Sequence, residues 1–320
     1  MRLLIPIVNF RSTPFTIDCL RSLEPELRAF PGSRVVVIDC ASNDGSELAL
    51  RSAIEQNGWQ TWATFLPAPR NGGFAYGNNA AIQPFLQENP DFVLLLNPDT
   101  LVRPNALTAL VTFMEKNPAV GIAGSRLEDL DGTPQRSAFR FPSFSGEIDN
   151  GFRFGPLSKL LHHAVVAPPV QEDTHETDWV CGASMIIRRQ VIHDIGLMDE
   201  HYFLYFEEVD YCLRAQRAGW KIWYVPQSRV VHLISQSTGV ISTNSTPKRR
   251  PPYWFESRRR YFVKNHGAIY ALLTDAAWSL GYFTWWVRHL FSKRMNNEPP
   301  RFLRDFLAHS TFAKGFSLRT

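Results

Sequence analysis

Cysteine is scarce in this chain, and Cys19, Cys40, Cys181 and Cys212 are its only four. They lie far apart with no paired spacing, which argues against a disulfide framework or a zinc site and leaves reduced cytosolic thiols as the expectation. Excess charge is missing too: the formal balance is +4 over 320 residues, so the chain as a whole is no polycation. Its basic runs gather late, at Lys248-Arg249-Arg250, Arg258-Arg259-Arg260 and Lys293-Arg294, where either nucleic acid or an anionic membrane surface could meet them. No internal repeat is visible. No stretch reads as a simple membrane span: residues 267–287 are apolar, but Asp275 and the crowded Trp278, Tyr282, Trp285 and Trp286 suit a helix lying in the membrane interface or packed on the domain. A secretory signal is not expected either. The first ten residues are apolar but short, lack a small-residue cleavage site, and read better as a first strand.

What is present is a 44% hydrophobic composition and a regular alternation of elements. Strands are expected at residues 3–8, 34–38, 62–66, 92–96 and 120–123. Helices are expected between them, at residues 13–27, 46–54, 73–86 and 104–116. Such alternation calls for an α/β fold with a mostly parallel central sheet flanked by helices. Residues 135–169 break the pattern with Phe, Pro, Gly and Ser and are read as an irregular insertion near the substrate side, in the manner of a lid. Regular structure returns with a strand at 179–188, a helix at 207–219 and strands at 222–225 and 230–231. A polar loop at 235–252 and C-terminal helices from Trp254 complete the reading. The expected division is a catalytic α/β domain over residues 1–245 and a helical extension over 246–320.

Several chemistry-bearing groups fall at strand ends. Phe92-Val93-Leu94-Leu95-Leu96 is an apolar run that stops at Asn97-Pro98-Asp99, because Pro98 cannot continue a central strand. Asn97 and Asp99 therefore stand at the carboxyl edge of the sheet, where open α/β sheets bind ligands, and a hard cation bridging a diphosphate wants such oxygens. The alternative is a simple Asn-Pro-Asp turn. Asp39 ends the second strand in the same way, as a nucleotide contact or as an Asx turn. Arg70-Asn71-Gly72-Gly73-Phe74 opens a helix and is neither a Walker loop nor the dinucleotide fingerprint. Its glycines let the backbone approach a ligand, and the helix N-terminus favours phosphate oxygens.

The second dense segment is Tyr205-Phe206-Glu207-Glu208-Val209-Asp210. On a helix, Asp210 and Arg214 pair at i,i+4, Glu207 shares the side of Asp210, and Glu208 points the other way. Glu208 is thus the candidate to project alone into a cleft as a general base, with Asp210 in reserve. The alternative is a set of acids stabilised by the helix dipole. His232 follows a strand and is either structural or a metal ligand opposite Asp99. Trp179 and Cys181-Gly182-Ala183-Ser184 offer a small-residue shelf under a substrate, or merely a buried strand start.

Taken in order, these motifs resemble the family 2 glycosyltransferases of GT-A fold, nearest to rhamnosyltransferase-like members that build bacterial polysaccharides. The resemblance runs through Pro6-Ile7-Val8-Asn9-Phe10, Val37-Ile38-Asp39, Asn71-Gly72-Gly73-Phe74, Asn97-Pro98-Asp99, Gly182-Ala183-Ser184, the Tyr205–Asp210 segment, His232 and Tyr261-Phe262-Val263-Lys264-Asn265. It implies a nucleotide-diphosphate sugar donor, suggesting dTDP-rhamnose, a Mg2+ or Mn2+ ion, and inversion at the anomeric carbon. Val8, Asn9, Asp39, Asn71, Gly72, Gly73, Asn97 and Asp99 would then hold the donor. Asp99 and His232 would hold the metal, while Trp179, Gly182, Ala183 and Glu207 would line the sugar or acceptor pocket. Two positions depart from the family pattern: Glu208 stands where aspartate is usual, and Asn97 where an acid is usual. Implied partners are a glycan or lipid-linked acceptor and a peripheral membrane contact, with no nucleic acid, at the cytoplasmic face of the cell membrane. A nucleotidyltransferase and a non-catalytic nucleotide- or carbohydrate-binding module are the competing readings.

Overall fold

The structure, a computed structural model, describes residues 1–233, 247–291 and 298–318. Its strands are β1 (Leu3–Asn9), β2 (Arg34–Asp39), β3 (Ala63–Pro67), β4 (Phe92–Leu96), β5 (Thr100–Val102), β6 (Val120–Glu128), β7 (Ala138–Phe139), β8 (His175–Glu176), β9 (Trp179–Val180), β10 (Ser184–Arg188) and β11 (Lys221–His232). Its helices are α1 (Thr13–Leu27), α2 (Ser46–Gln56), α3 (Gly73–Ile82), α4 (Ala106–Lys116), α5 (Phe144–Phe152), α6 (Gly155–Leu160), α7 (Arg189–Ile195), α8 (Glu207–Arg217), α9 (Pro252–His266), α10 (Ala268–Leu290), α11 (Phe302–His309) and α12 (Thr311–Lys314). The chain forms two compact units. The first comprises Met1–Phe139, Pro169–Phe203 and Glu207–Thr238; the second comprises Arg140–Pro168, Leu204–Phe206 and Gly239–Thr320. The expected boundary at 245/246 and the first part of the expected 235–252 loop lie outside the described residues.

The first unit is built on a sheet of order β3-β2-β1-β4-β10-β6-β11-β5, with β8 also paired to β11. Strands β3, β2, β1 and β4 run parallel, as the strand–helix alternation demands. Strand β4 is apolar at every position because both its faces are covered, and none of Phe92, Val93, Leu94, Leu95 or Leu96 is more than 2% exposed. Helix α1 buries Cys19, Leu20, Leu23 and Leu27 against this sheet, following its 3.6-residue spacing. Helix α3 comes close to the ends of β1 and β2 because Gly77 has no side chain there: a Cβ would sit 2.6 Å from a Val8 methyl.

The far half of the sheet departs from the expected reading. Residues 179–188 are not one strand; Cys181-Gly182-Ala183 turns the chain between β9 and β10. Strand β10 then runs antiparallel between β4 and β6. The two short strands expected at 222–225 and 230–231 are one strand, β11, with an irregularity between Val225 and Arg229. Strand β5 follows the Pro98 break and pairs antiparallel with the end of β11.

In the second unit, the insertion expected to be irregular forms α5 and α6, which stay with the C-terminal helices. Helices α5 and α10 touch backbone to backbone at Gly151 and Gly281, where a Cβ on Gly151 would lie 2.7 Å from the Trp278 carbonyl oxygen. Beneath this crossing, buried Arg258 donates to Glu147 Oε2 at 2.6 Å and to Asp275 Oδ1 at 2.6 Å. Asp275 Oδ2 in turn accepts from the Thr311 amide and hydroxyl at 2.7 and 2.8 Å. Asp275, the charge that argued against a membrane span, is thus a buried structural ion. Among the described residues no helix is long and apolar enough to cross a membrane.

Candidate active site

The Pro98 break and the β5–β11 pairing set the first part of the site. His232 lies opposite Thr100 in that pairing, and the Leu233 amide donates to the Asp99 carbonyl at 2.9 Å. This register brings His232 Nε2 to 3.6 Å from Asp99 Oδ1. Asp99 is 1% exposed. Burial lowers the His232 pKa, against the opposing pull of Asp99, so the imidazole is held neutral and keeps a lone pair. A carboxylate oxygen and a neutral imidazole make a two-group donor set that fits Mn2+ or Mg2+ if substrate oxygens complete it. Among the described residues no cluster of three or more His, Cys, Asp or Glu could hold an ion unaided.

The acids of α8 separate as helical geometry requires. Asp210 is fully buried; its Oδ2 accepts from Arg214 Nε at 3.0 Å and its Oδ1 from the Tyr202 hydroxyl at 3.2 Å. Arg214 is tied further to the Ile195 and Leu197 carbonyls at 2.7 and 2.9 Å. Both Asp210 oxygens thus hold the start of α8 in place. Glu208 is different. The residue is half-buried, but its Oε2 is sealed from solvent and accepts no hydrogen bond. Desolvation pushes its pKa up to about 7. Just before the helix, Tyr205 and Phe206 both have φ of +69°, a left-handed backbone that costs non-glycine residues about 1–2 kcal/mol each.

The Cys181-Gly182-Ala183 turn joins these parts. The Asn97 amide donates to the Ala183 carbonyl at 3.0 Å, and a Cβ on Gly182 would meet Glu208 Cβ at 3.8 Å and the Phe74 ring at 3.0 Å. The Cys181 thiol is pushed up to about 12, by burial first and then by the charges of Glu208, Asp99 and Glu207. The turn therefore lies near carboxylates from two segments far apart in the chain, Asp99 from one and Glu207 and Glu208 from the other. Trp179 stacks on Phe139 with ring centroids 4.2 Å apart, forming an aromatic floor next to the turn. Sequence reasoning placed Cys181 with Gly182, Ala183 and Ser184 in a small-residue shelf and gave it no role of its own.

The remaining donor candidates sit at the ends of β1 and β2 and at the start of α3. Asn9 donates to Asp39 Oδ1 at 2.6 Å and accepts from the Ser12 and Thr16 hydroxyls at 3.0 and 2.8 Å. Asp39 also accepts the Ser42 hydroxyl at 2.5 Å and, on Oδ2, the Ser42 amide at 3.1 Å. These bonds fasten the turn that follows β2, and Asp39 Oδ2 keeps a lone pair for a further donor. At Asn71-Gly72-Gly73 two backbone amides already have acceptors within the chain. The Gly73 amide is taken by Asn71 Oδ1 at 3.0 Å and the Phe74 amide by the Phe203 carbonyl at 2.9 Å. Gly73 has φ +86°, and a Cβ there would lie 1.7 Å from the Phe203 oxygen, so it is glycine to seat the segment leading to Glu208. A further group that sequence reasoning missed is Glu128, 0% exposed, which accepts from Arg103 at 3.0 Å and from Arg229 at 2.8 and 3.0 Å. It ties the residue after β5 to the ends of β6 and β11.

A mostly parallel sheet with its acidic groups at the carboxyl edge defines the GT-A class of glycosyltransferases. The mannosyltransferase PcManGT from Pyrobaculum calidifontis, solved in complex with GDP-Man and Mn2+, superposes with a TM-score of 0.55 at 15% identity, over 98% of this chain and 84% of that one. S. aureus TarS 1–349 gives 0.53 at 15% identity, over 97% and 81%. These likenesses show the fold. The family follows from sequence: residues 2–262 match the model for "Glycosyltransferase like family 2", and the chain belongs to that family. Among its relatives, the N-acetylglucosaminyl-diphospho-decaprenol L-rhamnosyltransferase of Mycobacterium tuberculosis is 30% identical over 163 residues, 47% of this chain and 49% of that protein. Rhamnosyltransferase WbbL of Escherichia coli K12 is 26% identical over 165 residues, 50% of this chain and 60% of that protein. The dTDP-rhamnosyl transferase RfbF of Shigella flexneri is 22% identical, over 67% of this chain and 68% of that protein. The chain thus spans about half the length of the M. tuberculosis relative it matches.

Proposed function

We propose that this chain is an inverting, metal-assisted hexosyltransferase of polysaccharide biosynthesis. It moves rhamnose from dTDP-rhamnose to a hydroxyl of a glycan or lipid-linked acceptor. The observation that carries the reading is that one turn, Cys181-Gly182-Ala183, meets both the Asn97-Pro98-Asp99 break, through the Asn97 amide on the Ala183 carbonyl, and Glu208, beside Gly182. The rhamnosyl donor is supported by the printed activities of the relatives in M. tuberculosis, E. coli and S. flexneri.

In this reading Glu208 takes the proton of the acceptor hydroxyl, and a carboxylate with its pKa near 7 is well matched to that task. The acceptor oxygen bonds to the anomeric carbon as the bond to the donor phosphate breaks, and the nucleoside diphosphate leaves with the electron pair. One displacement from the face opposite the leaving group inverts the centre and needs no glycosyl-enzyme intermediate. Asp99 and His232 would hold Mg2+ or Mn2+, which when bound supplies positive charge to the leaving diphosphate. Asp39 Oδ2 and the Asn71 side chain receive the nucleoside, with Val8 and Asn9 behind them. Gly182, Ala183 and Trp179 form the shelf under the sugar.

The four cysteines are free, which accords with work at the cytoplasmic face. Helix α10 carries an exposed apolar stripe of Ile269, Leu273, Leu280, Phe283 and Trp286, a surface that suits peripheral contact with a membrane holding a lipid-linked acceptor. The reading is tested by thermal shift with a panel of nucleoside diphosphates and their sugars, with and without Mn2+. The largest stabilisation is expected from dTDP-rhamnose with the ion, and equal shifts across all bases and sugars would overturn the donor assignment.

A further inference from the structure

We propose that a cavity inside the helical unit is a saccharide subsite that takes a neutral pyranoside ring of the acceptor. The assignment to the acceptor rests on the transferase reading above; the binding itself does not. The cavity encloses about 230 Å³ and is lined by residues of that unit alone. Aromatic rings from Phe206, Trp254, Trp278 and Phe302 form one part of its wall, while Asn150, Glu147, Arg250 and Glu298 supply polar groups. Its size suits a single ring rather than a larger ligand, since pockets for drug-sized molecules begin at about 300 Å³.

The polar groups decide among ligand classes. Arg258 is spent on Glu147 and Asp275, and Arg153 is spent on Glu298. Arg250 is not spent. Its guanidinium lies 4.3 Å over the Trp254 ring and 5.3 Å from the Phe302 ring, and its Nε is buried with no hydrogen-bond acceptor. A buried donor left in this state costs about 1–3 kcal/mol until something accepts from it. A phosphate would satisfy it, but Glu147 and Glu298 already take Arg258 and Arg153, which leaves Arg250, among the described residues, as the one lining cation to balance a phosphate's charge. A lipid chain would cover the rings and leave Arg250 stranded. A sugar hydroxyl answers both demands: it accepts from Arg250 and donates to a carboxylate, while the C–H face of its ring covers the aromatic wall.

The test uses the full chain and saturation-transfer NMR with methyl glycosides as neutral probes, set against sugar 1-phosphates and a short alkyl phosphate. Methyl glycosides are expected to bind. Arg250→Met, which keeps the apolar stem and loses the donors, is expected to weaken them roughly tenfold while leaving the stabilisation by nucleotide sugar unchanged. Should that variant unfold, Arg250→Lys serves instead, since it keeps the charge and removes Nε. Failure of every glycoside to bind, equal binding by the variant, or preference for the phosphates would each overturn the proposal. Loss of all nucleotide-sugar binding in the unaltered chain would instead sink the transferase reading, and glycoside binding would still report on the cavity.

Discussion

Replacing Glu208 with Gln separates catalysis from stability, and the two should move in opposite directions. The folded chain holds the Glu208 carboxyl proton up to about pH 7, against an ordinary value of 4.5. Below 4.5 both folded and unfolded states carry the proton, and there is no penalty. Between 4.5 and about 7 the unfolded chain ionises first, so stability falls as pH rises; above that range the loss is complete. A shift of this size corresponds to at most about 3 kcal/mol, less where solvent reaches the half-buried side chain. Glu208→Gln has no such titration. At about pH 8 it should unfold at higher temperature than the parent, by up to roughly 6 °C for a chain of this size, and near pH 4 the two should coincide. Transfer should show the reverse. In the parent it rises with pH to a plateau with a midpoint near 7, and in the variant it drops by about 10²–10⁴-fold, the usual contribution of a general base. Thermal unfolding and initial rates of nucleoside diphosphate release, both across pH, supply the data. A variant that turns over like the parent, or that is the less stable of the two in mild alkali, would refute the reasoning.

Four further tests follow from particular contacts. Gly73→Ala places a Cβ against the Phe203 carbonyl at an unfavourable φ and should cost about 3 kcal/mol or more in urea unfolding. Arg258→Met leaves Glu147 and Asp275 buried without their cation and should cost about 3–5 kcal/mol, part of which Glu147→Gln in the same chain should restore. Asp99→Asn should remove the Mn2+-dependent part of the donor-induced thermal shift, about 2–3 kcal/mol at a hundredfold excess over Kd, which titration with and without the ion will show. Leu280→Glu with Phe283→Glu should lower co-sedimentation with anionic vesicles and leave donor binding intact; undiminished sedimentation would remove α10 as the contact.

Much of the catalytic unit could be read from local pattern. The apolar run before Pro98 gave β4 and its break, and i,i+4 spacing alone gave the Asp210–Arg214 pair that the structure contains. What could not be read depended on partners distant in the chain. At Gly73 nothing local shows that the Phe203 carbonyl occupies the space a side chain would need. Glu128 is an acid at the end of a strand, and only pairing among β5, β6 and β11 brings Arg103 and Arg229 to it. Residues 140–168 read as irregular because their helices are short and rich in glycine. Their order comes from the close crossing with α10, more than a hundred residues later.

Strand β10 carries a consequence for biogenesis. It fills the position between β4 and β6, yet it is synthesised after both, with the whole 140–168 insertion emerging first. On the ribosome, then, the nascent β4 presents an open apolar margin for as long as it takes to make some ninety further residues. Chaperone dependence should accordingly be heaviest for nascent chains halted after Leu96 and before Ser184, and should fall away once Arg188 clears the exit tunnel.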